Sequence, residues 1–492
     1  MPKPNIILAL DMGTSSVRAM LFDRRGRELP GHEQQMPYVQ QTTSDGGVET
    51  DAESLIERTV ECIRRLMRGA DKETKAKIAG VGISCFWHSL VGVGEDNRAV
   101  TPVYSWADMR SAPYVAKLRE TLDADDYHGR TGCVLHPSFW PAKLLWHAAA
   151  HPEQADKVTR WMSFGEYLAL RLFGSATCSI SMASATGLFN QHTTDWDGAT
   201  LAALPIRHEQ LNPLGDLSAT QSGIVAEFRR GLGPVAQIPW LPAAGDGACS
   251  NLGGGGTDDT RIALNIGTSA AMRIVVPAEN LTIPSALFCY RVDRKRALLG
   301  GAFTGGGNIY AWLGKTLTLS GDAKSNEKTL AAMAPDSHGL TVLPFWAGER
   351  SPGWHASARA SIDGMNLHTT PLDILRASLE SAAYCYDTVR DQIQRSFPQA
   401  REIAASGGAL QHDPVWTQIL ADVFGVPINV SKAFEASSRG AALLALETLG
   451  LIPDVESVSA AKGKTFPPSE ANHQVYQEAR RRYDALYARV LG

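Results

Sequence analysis

The chain opens on an apolar run, Ile6-Ile7-Leu8-Ala9-Leu10, that stops at Asp11. Asp11-Met12-Gly13-Thr14-Ser15-Ser16 has turn composition, Val17 to Phe22 is apolar again, and Asp23-Arg24-Arg25-Gly26 makes another turn. Apolar runs bounded by turn residues predict buried strands, so the opening reads as a β-meander. From about Asp51 to Arg68 the period changes: Leu55, Ile56, Val60, Ile63, Leu66 and Met67 share one helical face, with Asp51 near the N-cap. Ile78 to Ser84 returns to strand character, and its glycines predict close packing. Strand, strand, helix, strand is the order of an α/β or α+β domain with mixed strands, not of a simple doubly wound sheet. Near the end, Tyr476, Tyr483, Leu486 and Tyr487 recur at helical spacing, predicting a docked helix over Asn472 to Val490.

A weak internal repeat lies on this pattern. Leu8-Ala9-Leu10-Asp11-Met12-Gly13-Thr14-Ser15 is echoed by Ile262-Ala263-Leu264-Asn265-Ile266-Gly267-Thr268-Ser269, about half a chain later. Either the words coincide by chance, or two related domains each open on a polar hairpin turn and face one another. Leu241 to Gly247 and the tract Gly253-Gly254-Gly255-Gly256 mark the boundary, the four glycines reading as a flexible loop.

Composition narrows the class. With 47 Lys+Arg against 51 Asp+Glu, a net charge of −4, 20% charged and 44% apolar residues, the chain is an ordinary globular protein. A length of 492 residues predicts two or three domains. A balance this near neutral argues against a nucleic-acid binder. Seven cysteines are scattered and never form C-x-x-C, which encodes neither a disulfide framework nor a zinc site and points to a reducing cytoplasm. No apolar stretch reaches the roughly 20 residues of a membrane span, and Ile6 to Leu10 is too short for a signal-peptide core.

The turns offer candidate chemistry. Gly13 lets the backbone approach an anion, the N–H groups and hydroxyls of Thr14 and Ser15 can cradle phosphate oxygens, and Asp11 can hold a magnesium-bound water. The same residues also make a plain hairpin turn. Gly267-Thr268 repeats the arrangement, and two facing phosphate turns would clamp a nucleotide. Gly314-Lys315-Thr316 and Gly463-Lys464-Thr465 resemble P-loop ends, but Ile309 and Val458 stand where that loop needs glycine. No dinucleotide fingerprint follows a strand. Asp246, between small residues in Ala244-Gly245-Asp246-Gly247-Ala248, can accept a proton from a substrate hydroxyl, or can serve as a turn or helix cap. Trp87 and His88, then Trp106, Asp108 and Arg110, form a suitable lining for a polyhydroxylated ligand; the alternative is core tryptophans and a surface ion pair. Gly305-Gly306-Gly307 and Gly407-Gly408-Ala409 leave room for a flat purine.

Taken in order, these segments resemble the FGGY family of carbohydrate kinases over nearly the whole chain. Further words of that family are Gly348-Glu349-Arg350-Ser351-Pro352 and Glu435-Ala436-Ser437-Ser438-Arg439-Gly440. The resemblance implies two actin-like (ribonuclease-H-like) α/β ATPase domains, 1–245 binding sugar and 246–492 binding ATP, with catalysis in the cleft between them. It implies Asp246 as catalytic base and Asp11 organising magnesium, through water, near the transferred phosphate. Gly13, Thr14, Ser15, Gly267 and Thr268 match phosphate positions, and Gly307, Gly408 and His412 the adenosine site. Trp87, His88, Trp106, Asp108 and Arg110 are expected to touch the sugar or shape its pocket.

Within the family the chain is most similar to the gluconate kinases, through words such as Lys143-Leu144-Leu145-Trp146, Ser184 to Asn190 and Phe288-Cys289-Tyr290. Trp87 departs from the Met that relatives often carry, Ala311 from a glutamine and His412 from an asparagine of glycerol kinases. The expectation is a cytoplasmic, ATP- and magnesium-dependent kinase for the terminal hydroxyl of an open-chain sugar or sugar acid, D-gluconate first, with a homodimer allowed. A pentulose or polyol kinase is the alternative within the class, and a non-catalytic actin-like ATPase or a sugar binder without catalysis the alternative outside it.

Overall fold

The computed structural model describes residues 4–319, 322–432, 435–459 and 462–492. The chain forms two compact units that do not follow chain order. The first takes Met1–Gly253, Val276–Leu298 and Glu435–Ser459; the second takes Gly254–Val275, Leu299–Phe434 and Ala460–Gly492.

In the first unit a five-stranded sheet runs in the order Ala244–Gly245, Ile78–Cys85, Ile6–Met12, Ser16–Phe22, Glu28–Pro37. The Ile6–Met12 strand is buried along its whole length, as its apolar run requires. It pairs antiparallel with Ser16–Phe22 across the predicted turn and parallel with Ile78–Cys85, which in turn pairs parallel with Ala244–Gly245. The meander is therefore real, and the sheet is mixed. The helix Ala52–Gly69 begins where predicted: the Asp51 carboxylate accepts the Ser54 N–H at 2.7 Å, and all six predicted face residues are buried. It packs on the Ser16–Phe22 and Glu28–Pro37 strands.

The helix Ala436–Thr448 packs on the Ile6–Met12 and Ile78–Cys85 strands. It comes so close that a Cβ on Gly82 would stand 2.2 Å from the Ala441 carbonyl oxygen, which is the close packing that the strand glycines predict. The four-glycine tract is a correction. Gly253 and Gly254 end the helix Asp246–Gly254 instead of forming a loop. The reason is backbone contact between helices. A Cβ on Gly253 would lie 1.8 Å from the Ala436 oxygen, and one on Gly440 1.8 Å from the Cys249 oxygen. Small residues let the two helices touch main chain to main chain beside the sheet.

The second unit repeats the plan. Arg296–Phe303, Ala270–Pro277, Arg261–Ile266, Glu402–Ser406, Ile428–Ser431 and Lys462–Phe466 follow one another in its sheet. The hairpin Arg261–Ile266 with Ala270–Pro277 is antiparallel, and Glu402–Ser406 joins it in parallel, just as Ile78–Cys85 joins the first hairpin. The sequence repeat is thus a repeat of topology. The long helix Pro371–Ser396 starts at a capping box of Thr370 and Asp373, and the terminal helix, Glu470–Leu491, buries Tyr476, Tyr483 and Leu486. No helix of the described residues is long and apolar enough to cross a membrane, and all seven cysteines are free and buried.

The helix contact makes a direct prediction. Gly440→Ala forces a methyl into the Cys249 carbonyl and should lower the unfolding free energy by about 1–3 kcal/mol, read by urea denaturation. An unchanged midpoint would mean that the helices separate freely.

Candidate active site

The site in the first unit grows from strand register. Asp11, Ser84 and Ala244 are level neighbours on three adjacent parallel strands, so the chain ends that follow them emerge at one sheet edge. The carboxyl ends of parallel strands are where open α/β sheets bind ligands. Ser84 Oγ donates to Asp11 Oδ1 at 2.8 Å. Arg18 is the antiparallel partner of Asp11; its Nη1 lies 3.6 Å from Asp11 Oδ2, and its Nε 3.3 Å from Glu435. Burial pushes the Asp11 carboxyl up to about 6; Ser84 and Arg18 oppose the rise, and the negative charges of Asp246 and Glu435 add to it. Burial also raises Glu435, against the pull of Arg18.

Asp246 is the first residue of its helix, directly after the Ala244–Gly245 strand. Its Oδ1 accepts the Gly247 N–H at 2.8 Å and the Trp87 N–H at 3.3 Å, so backbone donors fix the carboxylate. Gly245 is a close-approach glycine: a Cβ would stand 1.8 Å from Cε2 of the Trp87 indole. The short helix Ile180–Ser184 organises this corner. Its Ser181 carbonyl accepts the Trp87 indole N–H at 2.9 Å, and Ser181 Oγ accepts the Gly245 N–H at 3.1 Å. His88, in the left-handed region at φ 64°, has Nδ1 2.6 Å from the Ala185 oxygen. Trp87, His88, Asp246 and Asp11 therefore meet, with both rings buried.

The Trp106–Arg110 segment is held differently. Asp108 is buried, accepts the Val48 N–H at 3.1 Å and takes Arg110 Nη2 at 2.6 Å; the same nitrogen reaches Glu49 Oε2 at 2.5 Å. The guanidinium lies 4.6 Å from the Trp146 ring centre and 5.4 Å from that of Tyr104, with its side chain only 11% exposed. Asp108 and Arg110 thus form a buried cluster with Glu49 and not a surface pair. Trp106 is half-buried beside them. In the first-unit turn, Gly13 donates its N–H to Ser16 at 3.1 Å, Tyr38 donates its hydroxyl to the Gly13 oxygen at 2.5 Å, Thr14 is half-buried and Ser15 is exposed.

The second unit gathers its own set. Gly267 donates to the Ser269 oxygen at 2.9 Å, Gly307 to the Gly267 oxygen at 2.8 Å and Asn308 to the Thr268 oxygen at 3.1 Å. A Cβ on Gly307 would meet Cβ of Ala409 at 3.5 Å, which sets the helix start at Gly307 beside the Gly408–His412 helix. Gly267, Thr268, Gly307 and Gly408 are thereby grouped. His412 ends the short helix, and its side chain lies outside the described residues.

Sequence reading missed Arg18, Ser84, Glu435, Glu49 and Ser181. Arg18 and Ser84 flank Asp11 only through strand register, and Glu435 approaches from the far end of the chain; spacing alone carries no signal for them. Ser181 escaped because its contacts use a carbonyl and a hydroxyl of an ordinary-looking segment.

Among the described residues one group, Asp336, His338 and Glu380, could offer ligand atoms to an ion, all within 4.8 Å of one another. Its hydrogen bonds describe a clasp instead. His338 Nδ1 accepts the Leu340 N–H at 2.9 Å, which leaves Nε2 to carry the proton that faces Glu380 at 3.0 Å. Arg376 saturates Glu380 at 2.6 Å and Arg482 pairs with Asp336 at 2.5 Å.

A buried carboxylate pair at parallel strand ends, with glycine-rich turns on two repeated units, defines a class of phosphoryl-transfer protein. The chain belongs to the FGGY family of carbohydrate kinases: residues 6–253 match the model of the family's N-terminal domain and 262–448 that of its C-terminal domain. It is an ATP-dependent sugar kinase of the two-domain, actin-like α/β fold. A gluconokinase of Bacillus subtilis (strain 168) is 28% identical over 98% of this chain and 94% of that protein. A glycerol kinase of Aromatoleum aromaticum is 31% identical, covering 92% of each. Among solved structures, a gluconate kinase of Lactobacillus acidophilus superposes with a TM-score of 0.91 at 29% identity, over 98% of this chain and 97% of that one. A ligand-bound xylulose kinase of the same organism also gives 0.91 at 29% identity, over 98% of each chain.

The raised Asp11 carboxyl has a stability consequence. A group whose folded value rises from 3.8 to about 6 binds more protons folded than unfolded in that window, so its ionisation costs stability as pH rises through it. Asp11→Asn should gain on the wild type by up to about 3 kcal/mol between pH 4 and pH 7.5, seen as a growing difference in Tm without ligands. A difference that stays flat with pH would show that the carboxylate is not strained by burial.

Proposed function

We propose that this enzyme transfers the γ-phosphoryl group of ATP to the terminal hydroxyl of an open-chain sugar acid, with D-gluconate the first candidate. The observation that carries the mechanism is Asp246: a carboxylate held by two backbone N–H donors, one of them from Trp87, at the sheet edge that also bears Asp11. In this reading Asp246 orients the acceptor hydroxyl and takes its proton, while Trp87 and His88 shape the pocket. Thr14, Ser15, Gly13, Gly267 and Thr268 bind phosphates through backbone and hydroxyl donors, and Gly307, Gly408 and His412 take the adenosine.

Magnesium fits the residues present, because Asp11 is a hard oxygen ligand whose charged form is disfavoured by burial and favoured by a nearby cation. When bound, the ion neutralises charge on the phosphates. Asp11 would hold it, through water, with Ser84 and Arg18 fixing the carboxylate's orientation. Sugar-side residues 1–245 and ATP-side residues 246–492 is the division of labour proposed. Free, buried cysteines support a cytoplasmic setting, and a homodimer is the assembly to test by light scattering.

Support for gluconate comes from the gluconokinase relative and the gluconate kinase structure. A second reading, a neutral pentulose such as xylulose, is favoured by Arg110. Its guanidinium already faces Asp108 and Glu49, so its charge is matched before any substrate carboxylate arrives.

Asp246→Asn should lower kcat about 10²–10⁴-fold while sugar binding, followed by calorimetry, survives. Near-normal turnover would remove Asp246 from the base role. ADP release measured against gluconate, xylulose, ribulose, glycerol and erythritol should give one dominant acceptor, gluconate by this proposal. ADP release independent of every acceptor would return the chain to a non-catalytic ATPase role.

A further inference from the structure

We infer that Tyr290 is the residue that sets the length of acceptor the pocket beside Asp246 accepts; this rests on the sugar-kinase reading of that site. Tyr290 lies on the Phe288–Arg291 strand. That strand falls within the residues matched to the family's C-terminal domain, 262–448, yet it belongs to the first compact unit. Its ring edge meets the Trp87 ring with centres 5.0 Å apart and the His88 ring at 5.6 Å. It is therefore the one residue of that strand in ring contact with both halves of the Trp87-His88 segment. Trp87, through its backbone N–H, holds Asp246.

The position is rigid on every side. Phe288 stacks behind Tyr290 with centres 4.4 Å apart and an interplanar angle of 13°. The strand is pinned by Cys289 N–H to the Gly132 oxygen at 2.9 Å, by Gln191 Nε2 to the Cys289 oxygen at 2.9 Å, and by Arg291 N–H to Ser184 Oγ at 2.9 Å. Ser184 belongs to the same short helix whose Ser181 anchors Trp87, and the next residue, Ala185, anchors His88. The three rings therefore share one support and cannot drift apart to suit a longer ligand. Aromatic faces and edges pack well on the C–H surfaces of an open-chain polyol or aldonic acid, and a fixed ring is a wall of fixed position. The shape of the ring, and not its hydroxyl, carries the role.

The test uses the full-length enzyme and the acceptor that the wild type prefers. Tyr290→Phe should keep kcat and both KM values within about twofold. Tyr290→Leu and Tyr290→His, two changes that free space in different ways, should raise the acceptor KM about tenfold or more and leave the ATP KM unchanged. They should also narrow the preference between acceptors differing by one carbon about tenfold. A folded Leu or His variant, with an unaltered melting profile, that keeps the wild-type acceptor KM and selectivity overturns the inference, as does a Phe variant with the full loss. If the wild type phosphorylates no acceptor, it is the kinase reading that fails, and the two failures are distinct.

Discussion

Three parallel strand ends held in one register are the constraint on which this molecule depends. Pairing Asp11 with Ser84 and Ser84 with Ala244 places residues far apart in sequence at one sheet edge. A slip of one residue would turn Asp11 to the opposite face, because side chains alternate along a strand. The register is enforced by burial of the whole Ile6–Met12 strand and by the Ala436–Thr448 helix lying close against Gly82. Packing decides where the chemistry stands.

The same register creates an electrostatic problem. Asp11, Asp246 and Glu435 gather around a single guanidinium, that of Arg18, and burial disfavours the charge on Asp11. A protein selected only for stability would bury something apolar there, since breaking even charges out of water is costly. Retaining an acidic cluster is reasonable where cations and phosphates arrive together: a magnesium ion relieves the excess negative charge, and Arg18 is then available to balance phosphate oxygens. Perturbed carboxylates concentrate at functional sites for this reason.

Much of the frame was legible in the sequence. Apolar runs stopping at Asp11, a helical face from Leu55 to Met67 and the echoed Gly-Thr-Ser words gave the strands, the helix and the repeated topology because each is a local pattern. The glycine tract at residue 253 misled because a glycine reads the same in a loop as in a helix that another backbone touches, and only the distance to Ala436 separates them. Trp87, His88 and Asp246 were recognisable as chemistry-bearing residues, yet the hydrogen bonds that join them run through Ser181 and Ala185, about a hundred residues from Trp87. Contacts made by carbonyls leave no mark in residue type.

Substrate identity was the least legible feature, and the structure explains why. Arg110, the cation a sugar acid would want, is engaged by Asp108 and Glu49 and stacked on Trp146. A guanidinium so balanced acts as a strut for the loop carrying Trp106 more than as a point charge offered to a ligand. Discrimination among open-chain sugars must then come from the shape of the aromatic corner and from hydroxyl contacts, where one carbon is worth roughly 1–3 kcal/mol. Energies of that size are set by tenths of an ångström in ring position. Enzymes with near-identical motifs can therefore differ in acceptor, as the gluconate and xylulose kinases that superpose equally well on this chain do.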